Sequence, residues 1–366
     1  GTYQSSNVGT DTQGGGGGSG YVGGVASGTT IAGNASMPTV AGSTQTGQQG
    51  NGAAKVTAAE AVVFTAGAQT GAVTIGGVVK ATNIQTASTN FAIKIGQTVA
   101  SGTSNFGANT TLNNIGGFIM GTAANAHNLS VTGSFATAAT GTAKLNGGVT
   151  TTTTQTYAGA VELTGDTTFT TTNSNVVFSS TVDGTTANTE SLTVAAGTGN
   201  TTFTGAVGGT TSLKNISVTT GALTAAAVKA DTGITVTNTA ASTISGVISG
   251  DASLTKAGAS TLTLSGANTY TGDTNINAGT LILTGSLSSS TDIVMTNAAV
   301  WNLQSAQTVA SLSMASGNSI TNTAGTSSLT VSGTSTLANS ITTTGTQTYA
   351  GAVTLGAETA VNATNS

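Results

Sequence analysis

Short runs in which apolar residues alternate with threonine or serine recur along most of this chain. In TLTLSG, Leu262 and Leu264 would point to one side of a strand, because successive side chains in a strand alternate. Thr261 and Thr263 would then point to the other side. The same alternation is found in GAVTIGGVV, SLTVAAG, TLILTG, ASLSMASG and SLTVSG. The pattern predicts an all-β fold made of many short strands.

Leucines in these runs recur at intervals of about 20 residues. Leu262 and Leu281 are 19 residues apart, and Leu312 and Leu329 are 17 apart. One set of short strands cannot bury its apolar side alone, but stacking the next set about 4.8 Å away covers the core. The spacing therefore predicts a parallel β-solenoid, in which residues 53–366 supply about 15 turns and a rod of about 70 Å. An up-and-down barrel or a β-sandwich is the competing all-β architecture.

The near-absence of charge favours the solenoid. Charged residues make up 5% of the chain, against roughly 25% in an ordinary globular protein. In a parallel stack each side chain lies over its counterpart in the next turn, so like charges would repel whereas Thr, Ser and Asn can form hydrogen bonds. Sandwiches tend to have larger aromatic cores, and only 4% of this chain is aromatic.

Composition divides the chain into two segments. Residues 1–52 are rich in Gly, Ser and Gln, including five consecutive glycines at 14–18, and are predicted to form an N-terminal arm. Residues 53–366 are predicted to form the β-helix. The stretch AAKVTAAEAVVF, residues 53–64, could instead contribute a short capping helix, although its Val-Val-Phe end favours a strand.

Two stretches of the chain are near-copies. TQTYAGAVELTGDTTF occupies residues 154–169, and TQTYAGAVTLGAETAV occupies residues 346–361. Their tyrosines, Tyr157 and Tyr349, are 192 residues apart. Because neither copy contains a nucleophile paired with a base, we interpret the stretch as a building unit.

The first copy contains the closest pair of carboxylates, Glu162 and Asp166. Two carboxylates flanking a bond are the machinery of glycosidases. The segment has no basic residue nearby in sequence, however, and the second copy has Thr354 and Glu358 at these positions. A role in turn formation is therefore favoured over catalysis.

The remaining candidates also favour structural roles. His127 is the single histidine of a chain without cysteine, which excludes a His/Cys metal site, and it is predicted to lie on the surface. Trp301 is interpreted as a core residue in preference to a binding hot spot. Four isolated aspartates are interpreted as turn residues in preference to ligands of an oxygen-only calcium site: Asp11, Asp183, Asp251 and Asp273. No catalytic, cofactor-binding or metal-binding residue is predicted, and no cofactor.

Residues 254–283 combine a Lys-x-Gly-x-x-x-Leu-x-Leu strand with Asn-x-Tyr-x-Gly and Ala-Gly-Thr-Leu. The residues that carry this pattern are Lys256, Gly258, Leu262, Leu264, Asn268, Tyr270, Gly272, Ala278, Gly279, Thr280 and Leu281. The stretch resembles the passenger-associated repeat of bacterial autotransporter adhesins. Residues 149–184 and 201–221 are similar to repeats of filamentous-haemagglutinin-like secreted proteins. The resemblance implies a right-handed parallel β-helix outside the cell, used for adhesion, surface coating or filament building, without catalytic residues.

We therefore expect an extracellular or cell-surface structural protein that is not an enzyme. It would be a β-helical rod that self-assembles head-to-tail into a filament, sheath or coat, through the solenoid ends and the N-terminal arm. The alternative is a monomeric adhesin passenger fragment that binds a host surface or a polysaccharide. The seven lysines are scattered and no arginine is present, so nucleic acid is not an expected partner, and no apolar run is long enough for membrane insertion.

Overall fold

The structure is a computed structural model. It describes residues 72–86, 90–97, 101–138, 140–356 and 358–364, together with the strands Ser36–Pro38, Thr44–Thr46, Gly52–Ala53 and Val62–Phe64. The described part is all-β and contains no helix. Val62–Phe64 is a strand, so the end of the candidate capping helix is extended, and residues 54–61 lie outside the described part. The prediction of an N-terminal arm also lies outside it, apart from the antiparallel pair formed by the first two short strands.

The strands stack into three faces, and each turn of the chain visits the faces in the same order. Face one is a 15-stranded parallel sheet that takes one strand from every turn. Its strands are Val62–Phe64, Ile84–Thr86, Thr110–Leu112, Phe135–Thr137, Gln155–Tyr157, Val176–Phe178, Thr201–Phe203, Leu223–Ala225, Ser242–Ile244, Thr261–Leu264, Thr280–Leu283, Val300–Leu303, Ser319–Thr321, Ser340–Thr343 and Ala360–Ala363.

Faces two and three form one 20-stranded sheet, because three long strands run from face two into face three. These are Ala143–Thr151, Val161–Thr171 and Val228–Asn238. The other strands of this sheet are Gly52–Ala53, Ala72–Ile75, Lys80–Ala81, Ala92–Ile95, Thr103–Phe106, Phe118–Met120, Asn128–Val131, Val182–Gly184, Leu192–Ala195, Leu213–Thr220, Ile248–Ser249, Ser253–Lys256, Thr274–Ile276, Asp292–Met295, Ser311–Met314, Ser335–Leu337 and Val353–Leu355. A three-stranded sheet continues face two: Gln307–Val309, Leu329–Val331 and Gln347–Tyr349.

The register confirms the predicted parallel β-solenoid. Leu262 pairs with Leu281, 19 residues later, and Leu264 pairs with Leu283; all four are buried. Fifteen strands in face one correspond to about 14 turns, which at ~4.8 Å each give a rod of roughly 67 Å. Neither a closed barrel nor two face-packed antiparallel sheets is present in the described residues, because every strand-to-strand pairing from Val62–Phe64 onward is parallel.

One predicted repeat spacing is wrong. Leu312 lies on face three and pairs with Ile293, whereas Leu329 lies on face two and pairs with Gln307. The 17-residue interval therefore links two faces and is not the length of a turn. The alternation of apolar and polar residues looks the same on every face, so it does not identify the face to which a strand belongs.

The core changes in character along the rod. In one column of face one, Tyr157, Phe178 and Phe203 pair in register, with ring centroids 5.1 and 4.8 Å apart and rings nearly parallel. Further along the same column, Leu264 and Leu283 take over, and both are buried. Stacked aromatic rings bury a large apolar area per residue. In the aliphatic part of the column, leucines fill the core, and successive leucines are 19 or 20 residues apart.

Asparagine side chains form hydrogen bonds between the corners of successive turns. Asn175 Oδ1 accepts a hydrogen bond from the Asn200 backbone nitrogen at 2.8 Å, and Asn200 Oδ1 accepts one from Ala222 nitrogen at 3.0 Å. Asn173, which has a φ of 54°, accepts one from Thr198 nitrogen at 3.1 Å. Asparagine tolerates this left-handed conformation better than most residues and satisfies backbone donors that the ladder leaves free.

Candidate functional site

Stacking places charged side chains over one another on face two. Lys144 pairs in register with Glu162, and its Nζ lies 2.8 Å from Glu162 Oε2. The expectation that Glu162 has no basic neighbour was therefore wrong, because the lysine comes from the preceding turn, 18 residues earlier in sequence. Asp166 has a different partner: its Oδ1 accepts the Ser191 backbone N–H at 2.8 Å. The two carboxylates thus form an ion pair and a corner hydrogen bond, respectively.

The other described aspartates also make contacts between turns. Asp183 Oδ1 accepts the backbone N–H of Thr210 at 2.8 Å, and Asp251 Oδ1 accepts the hydroxyl of Thr271 at 3.1 Å. The Asp273 backbone nitrogen donates to the Ser253 hydroxyl at 3.1 Å. Asp251 and Asp273 lie between strands, as predicted, whereas Asp183 lies within the strand Val182–Gly184, so its prediction as a turn residue was wrong. Asp11 lies outside the described residues. Within the described ranges, no three His, Cys, Asp or Glu side chains lie close enough together to hold a metal ion.

His127 is buried, so the prediction of a surface histidine was wrong. Its Nε2 lies 2.9 Å from Ser104 Oγ, and that hydroxyl also accepts the Val79 backbone N–H at 2.9 Å. The ring fills space left by glycines of the preceding turn, since a Cβ at Gly96 would lie 2.2 Å from the ring and one at Gly102 would lie 3.3 Å from it. Burial lowers the pKa of His127. Both the histidine and the serine are fully enclosed, which makes this pair part of the core.

Lys256 is the most unusual buried group of the rod. Its side chain is fully enclosed, and Nζ donates to the carbonyl of Gly258 and, at 3.1 Å, to the carbonyl of Ala278 in the next turn. Burial lowers the pKa of Lys256 to about 8. Gly258 is required here because a Cβ would lie 2.1 Å from the Asn238 backbone nitrogen of the preceding turn. The lysine therefore ties together backbone carbonyls of adjacent turns.

Asn268 and Tyr270 have buried side chains that also form hydrogen bonds. Asn268 Oδ1 accepts the Ile248 N–H at 2.9 Å, and its Nδ2 donates to the Ser286 carbonyl at 3.0 Å, so three successive turns are joined. The buried Tyr270 hydroxyl lies 2.6 Å from Thr274 Oγ1. The side chains of Lys256, Asn268 and Tyr270 are thus buried and form hydrogen bonds within the stack.

Trp301 is fully buried and pairs with Leu281 and Ile320, which confirms the core interpretation. The indole N–H has no hydrogen-bond partner in the part of the chain that the structure describes. No described helix is long and apolar enough to cross a membrane.

Among the described residues, the large apolar side chains with the highest exposed fractions lie at one end of the rod. We call the strands Ser340–Thr343, Gln347–Tyr349, Val353–Leu355 and Ala360–Ala363 the last turn. Leu355 is 66% exposed, whereas Leu337, its register partner one turn earlier, is 1% exposed. Val361 is 48% exposed, and its partner Ile341 is fully buried. The same core columns therefore continue into the last turn.

Comparison with protein families matches residues 254–283 to the passenger-associated-transport-repeat family. Comparisons with curated proteins and with solved structures gave no match. The matched segment contains Lys256, Asn268 and Tyr270, whose buried side chains form hydrogen bonds within or between turns of the parallel stack. The repeat and the parallel β-solenoid together fit an autotransporter passenger β-helical repeat protein.

Proposed function

We propose that this chain is a structural rod outside the cell, which associates end to end with further copies into a filament, sheath or coat. The passenger-associated repeat and the β-helix suggest an autotransporter passenger domain, and such a repeat suggests a secreted or cell-surface location. Rods of this kind have open ladders at their ends, unlike closed sheets.

The observation that supports end-to-end association is the packing of each described turn on the next one, which repeats the same apolar columns and the same parallel ladder. Val353, Leu355 and Val361 are 43%, 66% and 48% exposed, while the equivalent side chains one turn earlier are buried. A first turn of another copy would continue both the apolar columns and the hydrogen-bonded ladder, as β-strand addition does.

Sedimentation velocity and electron microscopy of the full chain test the proposal. The wild-type chain should form fibres whose length grows with protein concentration, because contact between unlike ends does not close. Leu355→Lys should prevent fibre formation by placing a charge in the contact. Thr224→Lys, on an exposed position of face one, is the matched control and should leave the fibres unchanged.

A wild-type chain that stays monomeric at high concentration would refute end-to-end association, as would a Leu355→Lys chain that still forms fibres. Deletion of residues 1–52 shows whether the arm takes part. Fibres that persist after this deletion would assign the contact to the solenoid ends alone.

A further inference from the structure

The outward side of face three carries two adjacent columns of hydroxyl residues that are aligned turn over turn. Residues of the first column pair in register, as do those of the second. The first column is Thr168, Thr193, Ser217, Thr235 and Thr255, and the second is Thr150, Thr170, Ala195, Thr219 and Thr237. We call these ten positions, nine of them hydroxyl residues, the hydroxyl lattice.

The hydroxyls of this lattice make no hydrogen bond to any described part of the chain. Threonine hydroxyls at the neighbouring corners behave differently. Thr220 Oγ1 donates to the Gly199 carbonyl at 2.8 Å, and Thr171 Oγ1 donates to the Ser174 carbonyl at 2.5 Å. The corner hydroxyls therefore hold the rod together, whereas the lattice hydroxyls are available to an external partner.

Charge is also distributed unequally among the faces. Lys144, Glu162, Asp183 and Lys229 lie at the outward positions of face two. The ten lattice positions themselves carry no charge. On the strands that bear them, Lys256 points into the core, and Asp166, Lys214 and Asp231 lie at the corner between faces two and three. The lattice is thus a neutral array of hydroxyl and methyl groups, which fits a neutral partner.

The spacing of the lattice favours a partner that is itself periodic. Stacked strands lie about 4.7–4.9 Å apart, and alternate residues along a strand lie about 6.6–6.8 Å apart. In a tetrahedral network of water molecules joined by O–H···O bonds of about 2.8 Å, second-neighbour oxygens lie about 4.5 Å apart. Hydroxyls repeating turn by turn therefore come close to the repeat of crystalline water. The irregularities of register, at Leu145/Gly147 and Leu213/Asn215, lie at the corner outside the lattice.

We propose that the hydroxyl lattice on face three binds ice. Each hydroxyl contributes one weak contact, but a rigid parallel stack presents several at once without ordering any loop. A sugar polymer fits less well, since the lattice positions offer no aromatic side chain on which sugar rings could stack.

Partition of the full chain into slowly growing ice, together with thermal hysteresis of its solution, tests this proposal. The wild-type chain should be enriched in the ice fraction. Thr193→Lys and Thr235→Lys, each in the interior of the first column, should reduce enrichment about tenfold or more, because a long charged side chain separates the face from the crystal. Thr224→Lys on face one is the matched control and should stay within about twofold of wild type.

Circular dichroism establishes that each variant is folded, and Thr193→Val provides a second variant that preserves volume while removing the hydroxyl. It should weaken enrichment less than the lysine does. Exclusion of the wild-type chain from ice would overturn the proposal, and so would an equal loss in Thr224→Lys. Retention on an insoluble neutral polysaccharide without partition into ice would also overturn it and assign the face to a carbohydrate.

Discussion

The two copies of the Gln-Thr-Tyr segment occupy different faces of the rod. Gln155–Tyr157 lies on face one, whereas Gln347–Tyr349 lies on face two. Their internal contacts are nevertheless the same. In each copy the tyrosine hydroxyl donates to the glutamine Oε1, at 3.0 Å for Tyr157 and 2.8 Å for Tyr349.

The glutamine contacts are also preserved. Gln155 Nε2 donates to carbonyls six residues before it and 15 residues after it, at 2.9 and 2.8 Å. Gln347 Nε2 reaches the carbonyls at the same two sequence offsets, at 3.4 and 2.9 Å. The unit that the sequence repeats is therefore a strand, a corner and the next strand, and its two copies begin on different faces. The two copies differ in the burial of the tyrosine: Tyr157 is fully buried, and Tyr349 is half-buried in the last turn.

Truncating the two tyrosines should give the largest difference between the copies. Tyr157→Ala should cost about 3–5 kcal/mol, because Phe169 and Phe178 would be left facing a cavity. Tyr349→Ala should cost about 1–2 kcal/mol, since solvent already reaches this side chain. Local opening free energies from native-state hydrogen exchange measure both, because a solenoid does not unfold in a single step. Equal free-energy costs for Tyr157→Ala and Tyr349→Ala would contradict the view that the copies differ only in the burial of the tyrosine.

Replacing the glutamines should give a smaller difference. Gln155→Leu leaves two carbonyls of neighbouring turns without their donor and should cost about 1–3 kcal/mol. Gln347→Leu should cost less than about 1 kcal/mol, because its bond to the Asn362 carbonyl is exposed. Hydrogen exchange of the strand amides on either side provides the measurement. A larger loss at Gln347 would show that the last turn depends on this residue more than the interior does.

Alkaline titration should give Tyr349 a lower pKa than the more deeply buried Tyr157. Burial raises the pKa of Tyr349 to about 12 and raises the pKa of Tyr157 well above its ordinary value. Since the unfolded chain ionises at about 10, the contribution of Tyr349 to stability is complete below pH 10 and is lost as the pH rises through 12. Ultraviolet absorbance should show a step near pH 12 that Tyr349→Phe removes. Loss of that step in Tyr157→Phe would reverse the assignment.

Removing only the hydroxyls should give the smallest effect. Tyr157→Phe deprives a buried Gln155 Oε1 of its donor and should cost about 1 kcal/mol. Tyr349→Phe should cost only a few tenths of a kcal/mol, because water can replace the lost donor in the last turn. Denaturant-dependent hydrogen exchange resolves differences of this size when both variants are measured against wild type. Identical free-energy costs for the two Tyr→Phe variants would mean that Gln155 Oε1 and Gln347 Oε1 are equally accessible to water.

The sequence was sufficient to predict the stacking but not the assignment of strands to faces. Leu262 and Leu281 could be aligned because alternation and a 19-residue interval coincide in one run. Leu312 and Leu329 could not, because strands on all three faces alternate in the same way. The near-copies had the same ambiguity, and their placement on two faces emerged only from the pairing.

Contacts between turns were the least predictable from sequence. Burial of His127 depends on the absence of side chains at Gly96 and Gly102, which lie 31 and 25 residues earlier. Lys144 meets Glu162 after a turn of 18 residues, whereas Asn175 meets Asn200 after 25. Turn length varies with the corners, so a uniform repeat applied to the sequence misplaces such partners.

Placement of the two copies on different faces has a consequence for the gene that encodes the rod. Recombination between the repeats would join Tyr157 to Ala350 and delete 192 residues. The junction would remain foldable, because Val353 would then follow the tyrosine as Val161 does now. Val353–Leu355 would, however, move from face three to face two. Such an event would shorten the rod, keep its cross-section, and redistribute its surface chemistry around the axis.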